Sequence, residues 1–241
     1  MATYQSRGIV FRQIKYSESS IICDIFTREK GLRSFIVQGV RNTKSRGKAN
    51  LFRPLHIVDM QAHESDAGKL ARVRDIQYAY VYRHLNVHVV KSAMALFMLE
   101  IARNAIRDED QDSELYDFLE SFFIGLDAED TISPLTHIVF MVRLSTFLGF
   151  EPMQNMDEKR KVFDLLNGQF DEATSHIQYR MEESVSAYFS QLLQAKDDDW
   201  KLFQWPKPVR IQMLEDLILY YRLHVTGFRD IVSKDVLAAV L

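Results

Sequence analysis

The sequence predicts a two-part α+β fold, with a five-stranded β-barrel in residues 1–80 and an all-helical domain in residues 81–241. Three observations predict it. Apolar residues alternate with a period of two as far as Ile76, the period changes to about 3.6 after Tyr80, and the charge balance reverses at the same place. Residues 1–80 hold 14 Lys and Arg against 7 Asp and Glu, and the remainder holds 16 against 26, in a chain whose net charge is −3.

Five strands are expected at Arg7–Lys15, Ser19–Thr27, Leu32–Gln38, Leu55–Ala62 and Lys69–Ile76, all rich in Ile, Val, Phe and Leu. Turn residues separate them: Tyr16-Ser17-Glu18, Glu29-Lys30-Gly31, the Gly39–Arg53 stretch and Ser65-Asp66-Ala67-Gly68. Five short strands in so few residues call for closure, because an open sheet of this size leaves edges unpaired. A closed five-stranded barrel of the OB-fold type is the expected result, and such barrels offer a sheet face and loops to single-stranded nucleic acid.

Helical spacing then takes over. Met94, Phe97, Met98, Ile101 and Ala105 share one face, with Ser92 as the expected N-cap, and Leu115, Phe118, Leu119, Phe122 and Leu126 share the next, opened by Ser113. Pro134 opens a third helix that ends at Gly149 and is apolar nearly all round, so it belongs at the centre. Glu151–Ala173 is less regular. Helices return at Glu183–Leu193, Val209–His224 and Ser233–Val240, and the domain join is expected between Ile76 and Leu85.

Composition narrows the function. An apolar share of 47% with 26% charged residues is that of an ordinary globular chain, and no run approaches the ~18 apolar residues of a membrane span. The N-terminus has no basic start followed by an apolar stretch, so no secretory signal is expected. The single cysteine, Cys23, rules out an internal disulfide and any multi-cysteine zinc site, and it fits a reducing, cytoplasmic setting. Flanked by Ile21 and Ile25, it reads as a small buried hydrophobe. His84 and His88 stand four apart without a supporting thiolate or carboxylate, so packing is the expected role and no metal is assigned. Asp197-Asp198-Asp199 reads as a solvated loop. No Ser-His-Asp series, paired carboxylates or phosphate-binding glycine loop marks an enzyme.

One stretch carries binding chemistry. From Lys30 to Val58 there are seven cations (Lys30, Arg33, Arg41, Lys44, Arg46, Lys48, Arg53) and no acid. Such a patch binds phosphates without reading sequence, by releasing counterions. Phe52 is the expected base-stacking residue beside it, and Phe35 is equally suited to stacking or to the core. Two other readings stay open: a helical protein-interaction scaffold, and an OB-fold RNA-binding module, which a 2′-hydroxyl preference would reveal.

Four stretches in order resemble the RecO family of bacterial recombination mediators. They are GIVFRQIKYSESSIICDIFTREKGLRSFIVQGVRNTKS at the start, Leu51–Leu55, RLSTFLGFEP in the middle and LILYYRLHVTGFRDIVSKDVLAAVL at the end. The resemblance implies an N-terminal OB-fold, a C-terminal helical domain and no catalytic chemistry or cofactor. It implies binding and annealing of single- and double-stranded DNA in the RecF pathway, and help in loading RecA onto strands coated by single-strand-binding protein. RecR and the C-terminal tail of single-strand-binding protein are the implied partners, with the RecA filament indirectly, in a cytoplasmic, nucleoid-associated protein. Many members carry a four-cysteine zinc site after the middle motif. Here Met153–Phe170 has no cysteine, and Phe163, Leu165 and Phe170 are expected to fill that space with an apolar cluster. For the partner tail the expected slot is Phe140, Leu144 and Phe147, with Arg143 for its carboxylate. Arg143 has a second reading as an internal salt-bridge residue among buried side chains.

Overall fold

The computed structural model describes residues 3–40, 46–63, 70–106, 111–173 and 178–241, with only the backbone for Arg46 and Gly47. Its contacts group it into two compact units: residues 1–130 with 233–241, and residues 131–232.

The first unit is built on five strands: β1 (Thr3–Lys15), β2 (Ile21–Thr27), β3 (Gly31–Val37), β4 (Ile57–His63) and β5 (Ala71–Tyr80). They close into a barrel in the order β1-β2-β3-β5-β4, with β4 returning to β1. All pairings are antiparallel except the parallel contact of β3 with β5, where Phe35 meets Ala71 and Ile36 meets Arg72. This order is that of a Greek-key OB barrel. Alternation sends Val10, Cys23, Ile25, Phe35, Val58 and Met60 into one apolar core. A short helix, α1 (Arg46–Asn50), lies between β3 and β4, and Val40 and Phe52 on either side of it enter the same core.

Helices α2 (Val89–Ala105), α3 (Ser113–Ala128) and α7 (Ser233–Val240) belong to this unit, so the end of the chain packs with the barrel-bearing half. The caps differ from those expected by one to four residues. The His88 ring caps α2 by accepting from the Lys91 N–H, while the Ser92 hydroxyl donates to the Leu85 carbonyl. Asp112, the residue before Ser113, caps α3. Glu100 of α2 accepts from both the N–H and the hydroxyl of Ser233, fixing the start of α7.

In the second unit, α4 (Thr136–Phe147) is buried along most of its length and receives a hydrogen bond of 2.7 Å from the Tyr221 hydroxyl to the Met141 carbonyl. Tyr221 lies on α6 (Lys207–His224), which also contacts α5 (Glu183–Gln194). The stretch read as irregular contains a hairpin, β6 (Arg160–Asp164) and β7 (Gln169–Glu172). Gly168 makes its turn with φ of +66°, and a Cβ there would sit 2.9 Å from the Tyr220 hydroxyl. Phe163, Leu165 and Phe170 are buried as an apolar cluster, with the Phe163 ring 5.1 Å from Phe170 and 4.8 Å from Phe189. These side chains offer no zinc ligand, so a four-cysteine site does not fit here.

Candidate nucleic-acid interface

The acid-free stretch does not form one compact patch. Lys30 precedes β3 and Val40 follows it, and seven strand residues span about 23 Å. Lys30 and Arg33 therefore belong to one end of the strand, and the cations after Val40 to the other. At the first end, the Lys30 ammonium lies 5.7 Å above the Tyr4 ring, and the Arg33 guanidinium donates to the Lys30 carbonyl at 2.9 Å. At the other end, Lys48 on α1 and Arg53 after it are exposed and form no ion pair among the described residues. Arg41 and Lys44 lie outside the described residues, and Arg46 opens α1 with its side chain undescribed.

Three barrel cations outside the stretch are ion-paired, while Lys15, Arg72 and Arg74 are exposed and form no ion pair among the described residues. Arg7 pairs with Asp59 at 2.9 Å and with Glu120 at 3.6 Å, Arg12 with Asp24 at 4.0 Å, and Arg28 with Asp117 at 2.7 Å. The Arg28 guanidinium, bonded through two nitrogens, holds the Asp117 carboxyl below its usual range. Asp117 and Glu120 come from α3, far away in sequence, so counting charges along the chain hid this pairing. Within the stretch, Lys48 and Arg53 after β3 remain open to phosphate. The sequence reading also missed Arg74. It is exposed on β5, at the bulge between Val73 and Asp75 opposite Gln61 and Ala62, and its signal was the Arg-Val-Arg spacing.

Phe52 corrects an expectation. It is fully buried in the barrel core beside Val40, because the chain after α1 turns inward to close the barrel, and it presents no ring to a base. Phe35 is likewise core. Cys23 is buried with them, and burial pushes its thiol up to about 12, which leaves no thiolate for chemistry.

The helical slot needs the same correction. Phe140 and Leu144 are completely buried in α4 and belong to the core of their unit. Phe147 and Arg143, one turn apart, are the exposed members of the set. Arg143 does not lie among buried side chains: its guanidinium donates to the Asp197 carbonyl at 2.9 Å. The loop of three aspartates thus supplies Arg143 with a backbone partner, while Asp198 pairs with Lys201 at 2.7 Å. Among the described residues no cluster of His, Cys, Asp or Glu is suited to hold a metal, and no helix is long and apolar enough to cross a membrane.

Two sequence families match this chain: the one described as recombination protein O N terminal over residues 1–82, and that described as recombination protein O C terminal over residues 88–230. The chain belongs to the RecO family. Similar proteins named DNA repair protein RecO run the full length of the match. The protein of Christiangramia forsetii is 31% identical over 233 residues, covering 96% of both chains. That of Phocaeicola vulgatus is 32% identical over 232 residues, covering 95% of both. The protein of Flavobacterium psychrophilum is 29% identical over 237 residues, covering 98% of both. The two RecO family regions meet between residues 82 and 88, where the chain passes from β5 to α2.

Proposed function

We propose that this RecO family chain is a non-enzymatic DNA-repair mediator of the RecF pathway. It binds single- and double-stranded DNA, anneals complementary strands and helps RecA replace single-strand-binding protein, with RecR as co-mediator, in the nucleoid. Residues 1–80 hold the DNA, and residues 81–241 engage partners. The observation that carries this reading is a closed OB barrel on which Lys48 of α1 and Arg53 just after it stay exposed and without an ion pair among the described residues. Arg41, Lys44 and Arg46 complete the phosphate-contacting set at this end of β3, and Lys30 and Arg33 offer a second phosphate contact at its other end. Contacts of this kind position a strand without selecting its sequence. The tail of single-strand-binding protein docks at the exposed edge of α4, where Phe147 offers apolar area and Arg143 a carboxylate partner, with Phe140 and Leu144 supporting the helix from beneath.

Strand annealing in the presence of single-strand-binding protein tests DNA binding and partner contact together. Affinity for single strands should fall with salt at a log–log slope of about −3 if four phosphates are neutralised. Lys48→Glu with Arg53→Glu should reduce that slope by about 1.4 and weaken binding to all sequences alike. Unchanged DNA affinity in a folded double variant removes the site. Arg143→Ala should weaken binding of the tail peptide and leave DNA affinity unchanged.

A further inference from the structure

With Phe35 and Phe52 in the core, a ring that could meet a base has to come from elsewhere on the barrel. Among the described barrel residues two Phe, Tyr or Trp rings are more than a third exposed, Tyr16 at 61% and Tyr78 at 41%. Tyr16 lies in the turn between β1 and β2, and Tyr78 lies on β5. The surroundings of Tyr78 set it apart. Its partner across the sheet is Val58, which is core, so the ring stands on the inner side of the sheet. It escapes burial because it is close to the end of the strand, at the mouth of the barrel. The sheet is bulged there, with Ile57 opposite Tyr80 and Val58 opposite Tyr78, and a bulge of this kind re-aims the side chains beside it. Helix α1 lies at this mouth, where Ala49 and Leu51 pack against the same core.

A chain of contacts joins the Tyr78 ring to the free cations. The His56 ring meets it edge to face, with centroids 5.2 Å apart and planes at 79°. Whichever ring supplies the edge, at least one face of Tyr78 stays clear of His56. The His56 ring in turn sits on the end of α1 and beside Arg53. Burial lowers its pKa most, hydrogen bonding to the Asn50 backbone offsets part of that, and the charge of Arg53 lowers it further. The segment carrying these groups is held firmly. Leu55 has φ of +75°, its N–H donates to the Val10 carbonyl at 2.9 Å, and its carbonyl accepts from the Tyr82 hydroxyl at 3.1 Å. The Val10 N–H donates back to the His56 carbonyl at 2.9 Å. A backbone held in the left-handed region by three such bonds is over-determined, as expected where a site is pre-organised. Lys48, one turn before Leu51, and Arg53 are both exposed.

We propose that Tyr78 is the base-stacking residue of the nucleic-acid interface. One base of a single strand lies on the open face of its ring, His56 props the ring from the side, and Lys48 and Arg53 hold the neighbouring phosphates. An exposed ring beside unpaired cations is the pairing that single strands need, because every base has a face to stack and every linkage a charge to neutralise. This rests on the reading that those two cations contact DNA. It adds a distinction between ligands: a duplex keeps its bases stacked inside, so the ring serves single strands alone.

The test measures affinity of the full-length protein for a single strand, for the matching duplex and for a strand of the same length built with abasic sites. Tyr78→Ala, Tyr78→Leu and Tyr78→Phe are compared with the parent and with the Lys48→Glu, Arg53→Glu double variant. Thermal melting checks each fold, and Tyr78→Leu keeps apolar volume should Tyr78→Ala melt early. Loss of the ring should weaken single-strand binding about tenfold, with the log–log salt slope unchanged because no phosphate contact is lost. Tyr78→Phe should bind as the parent does. Duplex affinity should not move, and the abasic strand should bind the parent and the ring-less variants alike. Unchanged single-strand affinity in a folded ring-less variant overturns the proposal. So does an equal loss on duplex or abasic DNA, which would make Tyr78 a support for the fold. If the double variant is weakened while the ring-less variants bind normally, the cation site stands and the stacking residue falls. If the double variant binds as the parent does, the cation site falls and takes this proposal with it.

Discussion

Two buried aspartates, one from each unit of this molecule, are treated in opposite ways. Asp127, at the end of α3, is 1% exposed; Asp216, on α6, is 7% exposed. Burial alone raises the pKa of both. Around Asp127, the N–H groups of Arg83, Leu85 and His84 and the Tyr80 hydroxyl all donate to the carboxylate, at 2.7 to 3.0 Å. These donors outweigh burial and hold the carboxyl below its usual range. Asp216 receives one side-chain donor, Gln212 at 2.9 Å, and its other oxygen has no hydrogen-bond partner. Burial wins there, Glu182 and Glu215 push the same way, and its pKa rises to about 6. What a buried charge does to stability is decided by its donors, not by its depth. The first aspartate ties the segment leaving the barrel to a helix. Lys91, itself buried, completes that lock by donating to the carbonyls of Asp127 and Glu129.

The largest effect should come from breaking the satisfied site. Asp127→Ala leaves the part-buried N–H groups of Arg83 and His84 and the buried N–H of Leu85 without their acceptor, and should destabilise the barrel-bearing unit by about 3 kcal/mol. Urea unfolding followed by amide exchange at those three residues measures it, and an unchanged midpoint would dismiss the lock.

Relieving the unsatisfied site should act in the other direction. Since the folded pKa of Asp216 lies above its unfolded value, the folded state holds its proton more tightly. Its contribution is fully favourable below about pH 4 and is lost as pH rises to about 6. Asp216→Asn should raise stability at pH 7 by on the order of 1–2 kcal/mol, allowing for solvent screening, and leave it nearly unchanged at pH 4. Melting curves at the two pH values check this, and equal shifts at both would contradict the assigned titration. A smaller effect, about 1 kcal/mol of destabilisation, is expected for Tyr80→Phe, which removes one of the four donors to Asp127. The smallest is Gln212→Ala. It should move the Asp216 titration further upward, which a carboxyl NMR titration would register, and a downward move would reverse the role given to Gln212.

This contrast also marks what the sequence made legible. The five barrel strands were readable because one buried face imposes strict alternation, and α4 was readable because apolar residues encircle it. The lock at Asp127 was not, because its donors lie more than forty residues earlier and nothing local distinguishes it from a helix-end aspartate. The hairpin β6–β7 was missed because its strands are short and the first begins with exposed charges at Arg160 and Lys161. Asn167-Gly168 between Phe163 and Phe170 was the signal that could have found it. In the candidate DNA site the cations were visible as a run, but the pairing of Arg7 and Arg28 outside it depends on acids from α3. Phe52 misled because an aromatic residue in a basic loop looks identical whether it faces outward or plugs a barrel.

The parallel contact between β3 and β5 gives the barrel a seam. Two in-register pairs join strands that are antiparallel to every other neighbour, across a chain separation of 36 residues. Contacts so distant in sequence and so few in number are made late in folding and are the first to part in native fluctuations. The sheet should therefore breathe as a hinged ribbon, with β1, β2 and β4 as its stiff spine and the free margin at β3 and β5.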